Sequence, residues 1–194
     1  MRLSATGLAI AVLSLSACRC AALKNDAGKA VGEAEVLVGG PLYPIKAYRE
    51  QVSPQLWRGS RIDDLAGYAR LELDGFRGIV DLRAERSDCD QQWHDDRDVP
   101  GLQCLHIPVV DNTAPTVDQV RTFLEWLGDP NHLPAYVHCE AGVGRTGVFV
   151  AAYRVVVQGW SPQAALAEML AVAKRQGSPA PDQAQQAFVL SLVP

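Results

Sequence analysis

A strand-sized apolar run, Ala135 to His138, opens directly into Cys139-Glu140-Ala141-Gly142-Val143-Gly144-Arg145-Thr146-Gly147, and the chain continues as Val148-Phe149-Val150. Few folds accept such a string. Gly142 and Gly144 let the backbone curl with its N–H groups pointing inward, which makes a cradle for a tetrahedral oxyanion. A helix beginning at the arginine adds its positive end, and both effects favour a phosphate. The same field favours the thiolate of a cysteine at that place. Arg145 offers a planar fork matched to two phosphoryl oxygens, which lysine lacks. Cys139 is therefore the candidate nucleophile and Arg145 the candidate phosphate clamp. The backbone of Glu140, Ala141, Gly142, Val143 and Gly144 is the candidate phosphate-binding surface, with His138 supporting the loop by hydrogen bonding.

Around this loop, short apolar runs alternate with helical patterns. Strands are expected over 55–59, 78–82, 103–107 and 135–138, and helices over 62–74, 145–158 and 181–192. Thr116 with Gln119 reads as a capping box for a helix carrying Val117, Val120, Phe123, Leu124 and Leu127 and closed by Gly128, and Ser161-Pro162 opens another. The implied architecture is an α/β layer fold, with a central, mainly parallel sheet of about four to five strands and helices on both faces. Ligands in such folds sit at the carboxyl ends of strands, the place the loop after His138 occupies.

The segment from His138 to Thr146 resembles the signature HCxxGxxR followed by Ser or Thr, and on it the chain resembles the cysteine-dependent protein tyrosine phosphatase superfamily. The resemblance runs over roughly residues 55–192, and its size is similar to that of the compact dual-specificity branch. It implies that Thr146 helps the thiolate depart when a phosphoenzyme is hydrolysed. It also implies a carboxylic acid just after a strand upstream of the cysteine. In His106-Ile107-Pro108-Val109-Val110-Asp111 that residue is Asp111, expected to protonate the leaving group and then to activate water. Asp118, in the first turn of the capped helix, reads instead as a solvated carboxylate favoured by the helix dipole.

The reaction so implied is hydrolysis of phosphate monoesters through a cysteinyl phosphate, on phosphotyrosine, phosphoserine or phosphothreonine in proteins. Exported bacterial phytases carry similar loops, so an inositol polyphosphate phosphatase is one alternative. A lipoprotein that binds phosphorylated ligands without turning them over is another. No cofactor is required, and no metal: the histidines at 94, 106, 132 and 138 have no paired ligand spacing. Asp81 and Arg83 read as a structural ion pair, Gln183, Gln185 and Gln186 as residues of a solvated helix face, and Trp57, Trp93, Trp126 and Trp160 as core or rim.

At 194 residues and 48% apolar content the chain holds one sizeable core, and a monomer is expected. With 18 basic against 22 acidic residues, a net charge of −4 excludes the footprint of a nucleic-acid binder. Residues 1–18 have the outline of an export signal, with Arg2, an apolar stretch from Leu8 to Leu15, and Ser16-Ala17 before a cysteine. Leu15-Ser16-Ala17-Cys18 resembles a bacterial lipobox, which makes Cys18 the expected lipidation site and the membrane a partner through that anchor. Arg19 stands where, by resemblance to lipoproteins, an Asp signals inner-membrane retention, so the outer membrane is favoured if the cell has one. Residues 19–50 read as an Ala- and Gly-rich tether and 51–194 as the catalytic domain. Cys89 and Cys104 are compatible with either a disulfide or two buried thiols.

Overall fold

The computed structural model describes residues 48–89 and 101–193. The export signal, Cys18, Cys20, nearly all of the tether, Trp93 and His94 lie outside the described residues. Among those described, five strands form one sheet in the order β1-β2-β5-β3-β4. These are β1 (Arg49–Ser53), β2 (Leu56–Gly59), β3 (Gly78–Arg83), β4 (Gln103–Val109) and β5 (Ala135–His138). β1 pairs antiparallel with β2, and every other pairing is parallel, as expected for strands linked by helical crossovers. β1 begins at Arg49, so the last tether residues are strand residues; REQVS carries too little apolar alternation to announce itself.

Parallel strands covered on both faces read as apolar runs, and β3 and β5 are buried along their whole lengths. Their side chains alternate between two cores. Leu56, Val80, Leu82 and Val137 face α2 (Val117–Leu127) and α3 (Gly144–Val156), with Phe123 and Phe149 packed edge to face at 5.3 Å between centroids. Ile79 and Tyr136 face Tyr68 and Leu71 of α1 (Leu65–Leu73) on the opposite side. α3 is buried nearly all round because α4 (Pro162–Arg175) and α5 (Gln183–Leu190) cover its outer face through Ala165, Met169 and Val189.

Caps set the helix ends. Asp64 accepts from the Gly67 amide, which moves the start of α1 from the expected 62 to 65. Thr116 and Gln119 exchange the two hydrogen bonds of a capping box, at 3.1 and 2.8 Å. Ser161 caps α4, and Asp182 with Gln185 forms a second box on α5. No helix among the described residues is long and apolar enough to cross a membrane.

Candidate active site

β5 lies between β2 and β3, and the register sets Gly59 and Asp81 on either side of His138 at the carboxyl edge. The chain from Cys139 to Val143 turns over this edge and enters α3. Whereas α1, α2, α4 and α5 all have a side-chain cap, α3 starts at Val143 with no side-chain cap hydrogen bond. Its first-turn amides and dipole are left for an external anion. Gly142 holds φ +73, and a Cβ there would lie 2.3 Å from the backbone carbon and oxygen of Gly59. Glycine is required on both counts.

Cys139 is a free thiol, buried at the base of the loop. Arg145, also buried, donates from Nη1 and Nη2 to the two carboxylate oxygens of Glu85 at 2.7 and 3.0 Å, and from Nη1 to the Val109 carbonyl at 3.2 Å. Asp111 Oδ1 lies 3.2 Å from Arg145 Nε, yet Nε makes no hydrogen bond; the carboxylate sits within ion-pair range but off the donor axis. The Thr146 hydroxyl is buried and without a hydrogen-bond partner. The fold thus gathers Cys139, Arg145, Thr146 and Asp111 on one side of the sheet edge. Asp118 is ion-paired with Arg121 at 2.8 Å and strongly exposed, in keeping with its solvated reading.

The Asp111 loop is braced at both ends. Gln119, besides its capping role, donates to the Pro108 carbonyl at 2.7 Å. Gln185 donates to the Thr113 carbonyl at 3.1 Å, and its Oε1 accepts from the Asp182 amide at 3.2 Å. Gln185 is buried against Gly144, which corrects its assignment to a solvated face: α5 turns this residue into the site. The Glu140 side chain pairs with Arg61 on the rim, while its carbonyl accepts from the Arg61 amide at 3.1 Å.

Beneath the loop lies a buried polar cluster. Asp81 takes a fork from Arg83 at 3.0 and 3.1 Å and accepts from the Asp88 amide at 2.8 Å, and Arg83 also pairs with the Asp88 carboxylate. The ring of His138 approaches the Cys139 carbonyl at 3.3 Å through Nδ1 and Asp88 at 3.5 Å through Nε2. Burial holds its imidazole below the ordinary range, so the ring is neutral beside the loop. Asp81, Asp88 and His138 bring ligand atoms within 4.8 Å of one another. Arg83, bonded to both carboxylates, supplies the positive charge there. Asp88 is held in turn by its neighbour: Cys89 forms a disulfide with Cys104 of β4, Cα to Cα 5.4 Å.

Sequence reasoning missed Arg58, Glu85, Asp88 and Gln185. Arg58, at the end of β2, is buried and donates from Nη2 to the Gly142 carbonyl at 2.8 Å. Its signal was available: a charged residue inside the apolar strand Leu56-Trp57-Arg58-Gly59 needs a buried acceptor. Glu85 carries no comparable mark.

The family described as DSP-PTPase phosphatase fused to NAD+ Kinase matches residues 46–189. Probable NAD kinase 2, chloroplastic, of Oryza sativa subsp. japonica is 30% identical over 117 residues, 59% of this chain and 12% of that protein. Dual specificity protein phosphatase TpbA of Pseudomonas aeruginosa PAO1 is 31% identical over 125 residues, 64% of this chain and 53% of that protein. The chain therefore spans about half or less of the length of these relatives. A crystal structure of P. aeruginosa TpbA in complex with pTyr superposes with a TM-score of 0.57 at 27% identity, covering 72% of this chain and 80% of that one.

Proposed function

The chain belongs to the DSP-PTPase phosphatase family that it matches over residues 46–189, and on that premise we propose that it hydrolyses phosphate monoesters through a cysteinyl-phosphate intermediate. The Cys139 thiolate attacks phosphorus, the bond to the leaving oxygen breaks, and Asp111 gives that oxygen a proton. Water then attacks the phosphocysteine, its proton goes to Asp111, and sulfur leaves as thiolate with the Thr146 hydroxyl beside it. Arg145 and the inward amides of residues 140–144 hold the equatorial oxygens throughout. The observation that carries the reading is the Asp111–Arg145 ion pair at 3.2 Å, which sets the candidate acid against the candidate clamp. Trapping labelled phosphate on Cys139 after brief exposure to substrate is the direct test, and label elsewhere or nowhere would sink the mechanism.

For the substrate, we propose phosphotyrosine, phosphoserine and phosphothreonine in proteins. TpbA's complex with pTyr supports this reading. So does the rim. The side chains of Asp111, Glu85 and Glu140 are 64%, 51% and 48% exposed around Arg145, and the rim cation Arg61 is already paired with Glu140, a field that accepts one phosphate more readily than a polyanion. A panel comparing phosphopeptides with inositol hexakisphosphate tests it; preference for the latter would select the phytase-like alternative.

Export with lipidation at Cys18 is part of the proposal. The Cys89–Cys104 disulfide supports an oxidising compartment, and the lipobox-like Leu15-Ser16-Ala17-Cys18 supports the anchor. Mass spectrometry of the mature N-terminus checks both, since an unmodified Cys18 or a retained Met1 is incompatible with it.

A further inference from the structure

We infer that the Arg61–Glu140 ion pair is a specificity determinant of the phosphate site: Glu140, with Asp63, takes up the guanidinium of Arg61, and the rim thereby refuses a second phosphate beside the one being cleaved. The inference deepens the phosphatase reading and rests on it. Arg61 lies in the turn between β2 and α1, and its amide donates to the Glu140 carbonyl at 3.1 Å. Its side chain reaches the same residue, with Nη1 paired to the Glu140 carboxylate. Glu140 directly follows Cys139, so this two-point attachment ties a cation to the loop one residue from the nucleophile.

That cation is already neutralised within the protein. Its Nε donates to Asp63 Oδ1 at 2.7 Å and its Nη1 to Glu140 Oε1, so one guanidinium faces two carboxylates and the trio has negative charge in excess. The side chains of Arg61 and Asp63 are each 30% exposed and that of Glu140 48%, which leaves the trio open to an arriving ligand. The second Glu140 oxygen lies 3.9 Å from Arg83 Nη1. Arg83 is buried and bonded to Asp81 and Asp88, and offers nothing at the rim.

A phosphate monoester with neutral or cationic surroundings, such as a phosphorylated residue of a peptide, meets no penalty at such a rim. A compound with a further phosphate close to the reacting one meets excess negative charge there, and the guanidinium that could match it as a fork is occupied. Glu140→Gln keeps the shape of the side chain and the backbone bond to Arg61, and removes one of the two carboxylates. Arg61, still held through Nε by Asp63, then has both Nη groups for an added phosphate.

The test uses the full chain with Glu140→Gln, Asp63→Asn and Arg61→Gln, and the double variant of Glu140→Gln with Arg61→Gln. The readouts are turnover of a phosphotyrosine peptide, its inhibition by inositol hexakisphosphate, and phosphate release from the latter, alongside thermal melting. Glu140→Gln is expected to melt within a few degrees of the unmodified chain. It should lower the inhibition constant of inositol hexakisphosphate about tenfold, and raise its kcat/KM relative to that of the peptide about tenfold. With Arg61→Gln already in place, the same substitution should move either quantity less than about threefold. Unchanged inhibition and ratio in Glu140→Gln, an equal gain in both backgrounds, or an unmodified chain that prefers inositol hexakisphosphate overturns the inference. If Glu140→Gln does not fold, Asp63→Asn decides: it must raise the same ratio about threefold or more, and a ratio left where it was overturns the inference. Failure of the phosphatase reading is distinct, since the unmodified chain would then turn over neither substrate, whereas the inference fails by itself only with turnover of the peptide intact.

Discussion

Arg58 Nη2 donates to the carbonyl of Gly142 at 2.8 Å, and a peptide unit whose oxygen is drawn to one side carries the following N–H on the other. The bond therefore turns the Val143 amide away from Arg58. Among the described residues no carboxylate forms an ion pair with Arg58, so its charge also lies under the loop without a compensating anion.

Replacing Arg58 tests both roles. Arg58→Met removes a buried unpaired cation, which favours stability, and leaves the Gly142 carbonyl without its donor, which costs about 1–3 kcal/mol. The two effects oppose each other, so melting should move by only a few degrees. Activity has no such offset: kcat/KM for an aryl phosphate is expected to fall about tenfold or more, below the 10²–10³ known for removing a direct oxyanion donor. Kinetics and a thermal melt on the same preparation check it.

Cys139→Ser should abolish turnover and keep phosphate binding, because the loop amides and Arg145 remain. Asp111→Ala should slow leaving-group expulsion by roughly 10² to 10⁴. The deficit is expected to be larger for phosphotyrosine than for p-nitrophenyl phosphate, whose leaving group needs less help from a proton. Equal deficits on the two substrates would argue that Asp111 acts through Arg145 and not as an acid.

Stability should fall on acidification in two steps. Burial keeps the His138 imidazole below its ordinary value, so below about pH 6.5 the unfolded chain takes up a proton that the folded chain refuses, and folding weakens. Glu85, held low by Arg145, adds stability above the unfolded carboxyl range near pH 4.3 and loses it as pH falls through the depressed folded value. Urea midpoints measured from pH 8 to 3 should show the first decline. A His138→Asn chain that still folds should lack the step near 6.5.

Removing the disulfide as Cys89→Ser with Cys104→Ser should cost about 2–5 kcal/mol, a fall in melting temperature of roughly 5–15 °C. A loss of kcat/KM is expected with it, since Asp88, the adjoining residue, bonds Arg83 and Asp81 below the loop. A chain that melts lower with unchanged kinetics at 25 °C would separate the bridge from the site.

The features legible in the sequence are those set by neighbours in the chain. The loop from Cys139 to Thr146, the Thr116–Gln119 box and the Ser161 cap are each specified within a few residues, and the structure has them where expected. The braces of the site are not of this kind. Glu85 meets Arg145 across 60 positions, Gln185 meets Thr113 across 72, and Arg58 meets Gly142 across 84. Each depends on which strands become neighbours and on which way a helix is rolled, information a single polar side chain does not carry. Gln185 illustrates the difference: its cap partner Asp182 is local and readable, whereas its burial against Gly144 exists only once α5 has docked.

The contact between Gly59 and Gly142 bears on how far this site can be redesigned. A Cβ on Gly142 would fall 2.3 Å from the Gly59 backbone, and one on Gly59 2.1 Å from the Tyr136 hydroxyl and 2.4 Å from the Tyr48 carbonyl. Neither position can enter a mutational library with any prospect of gain, so the inner wall offers no handle for changing substrate range. Diversity has to be sought on the rim, at the partly exposed pair Arg61 and Glu140, where new side chains have room to grow outward.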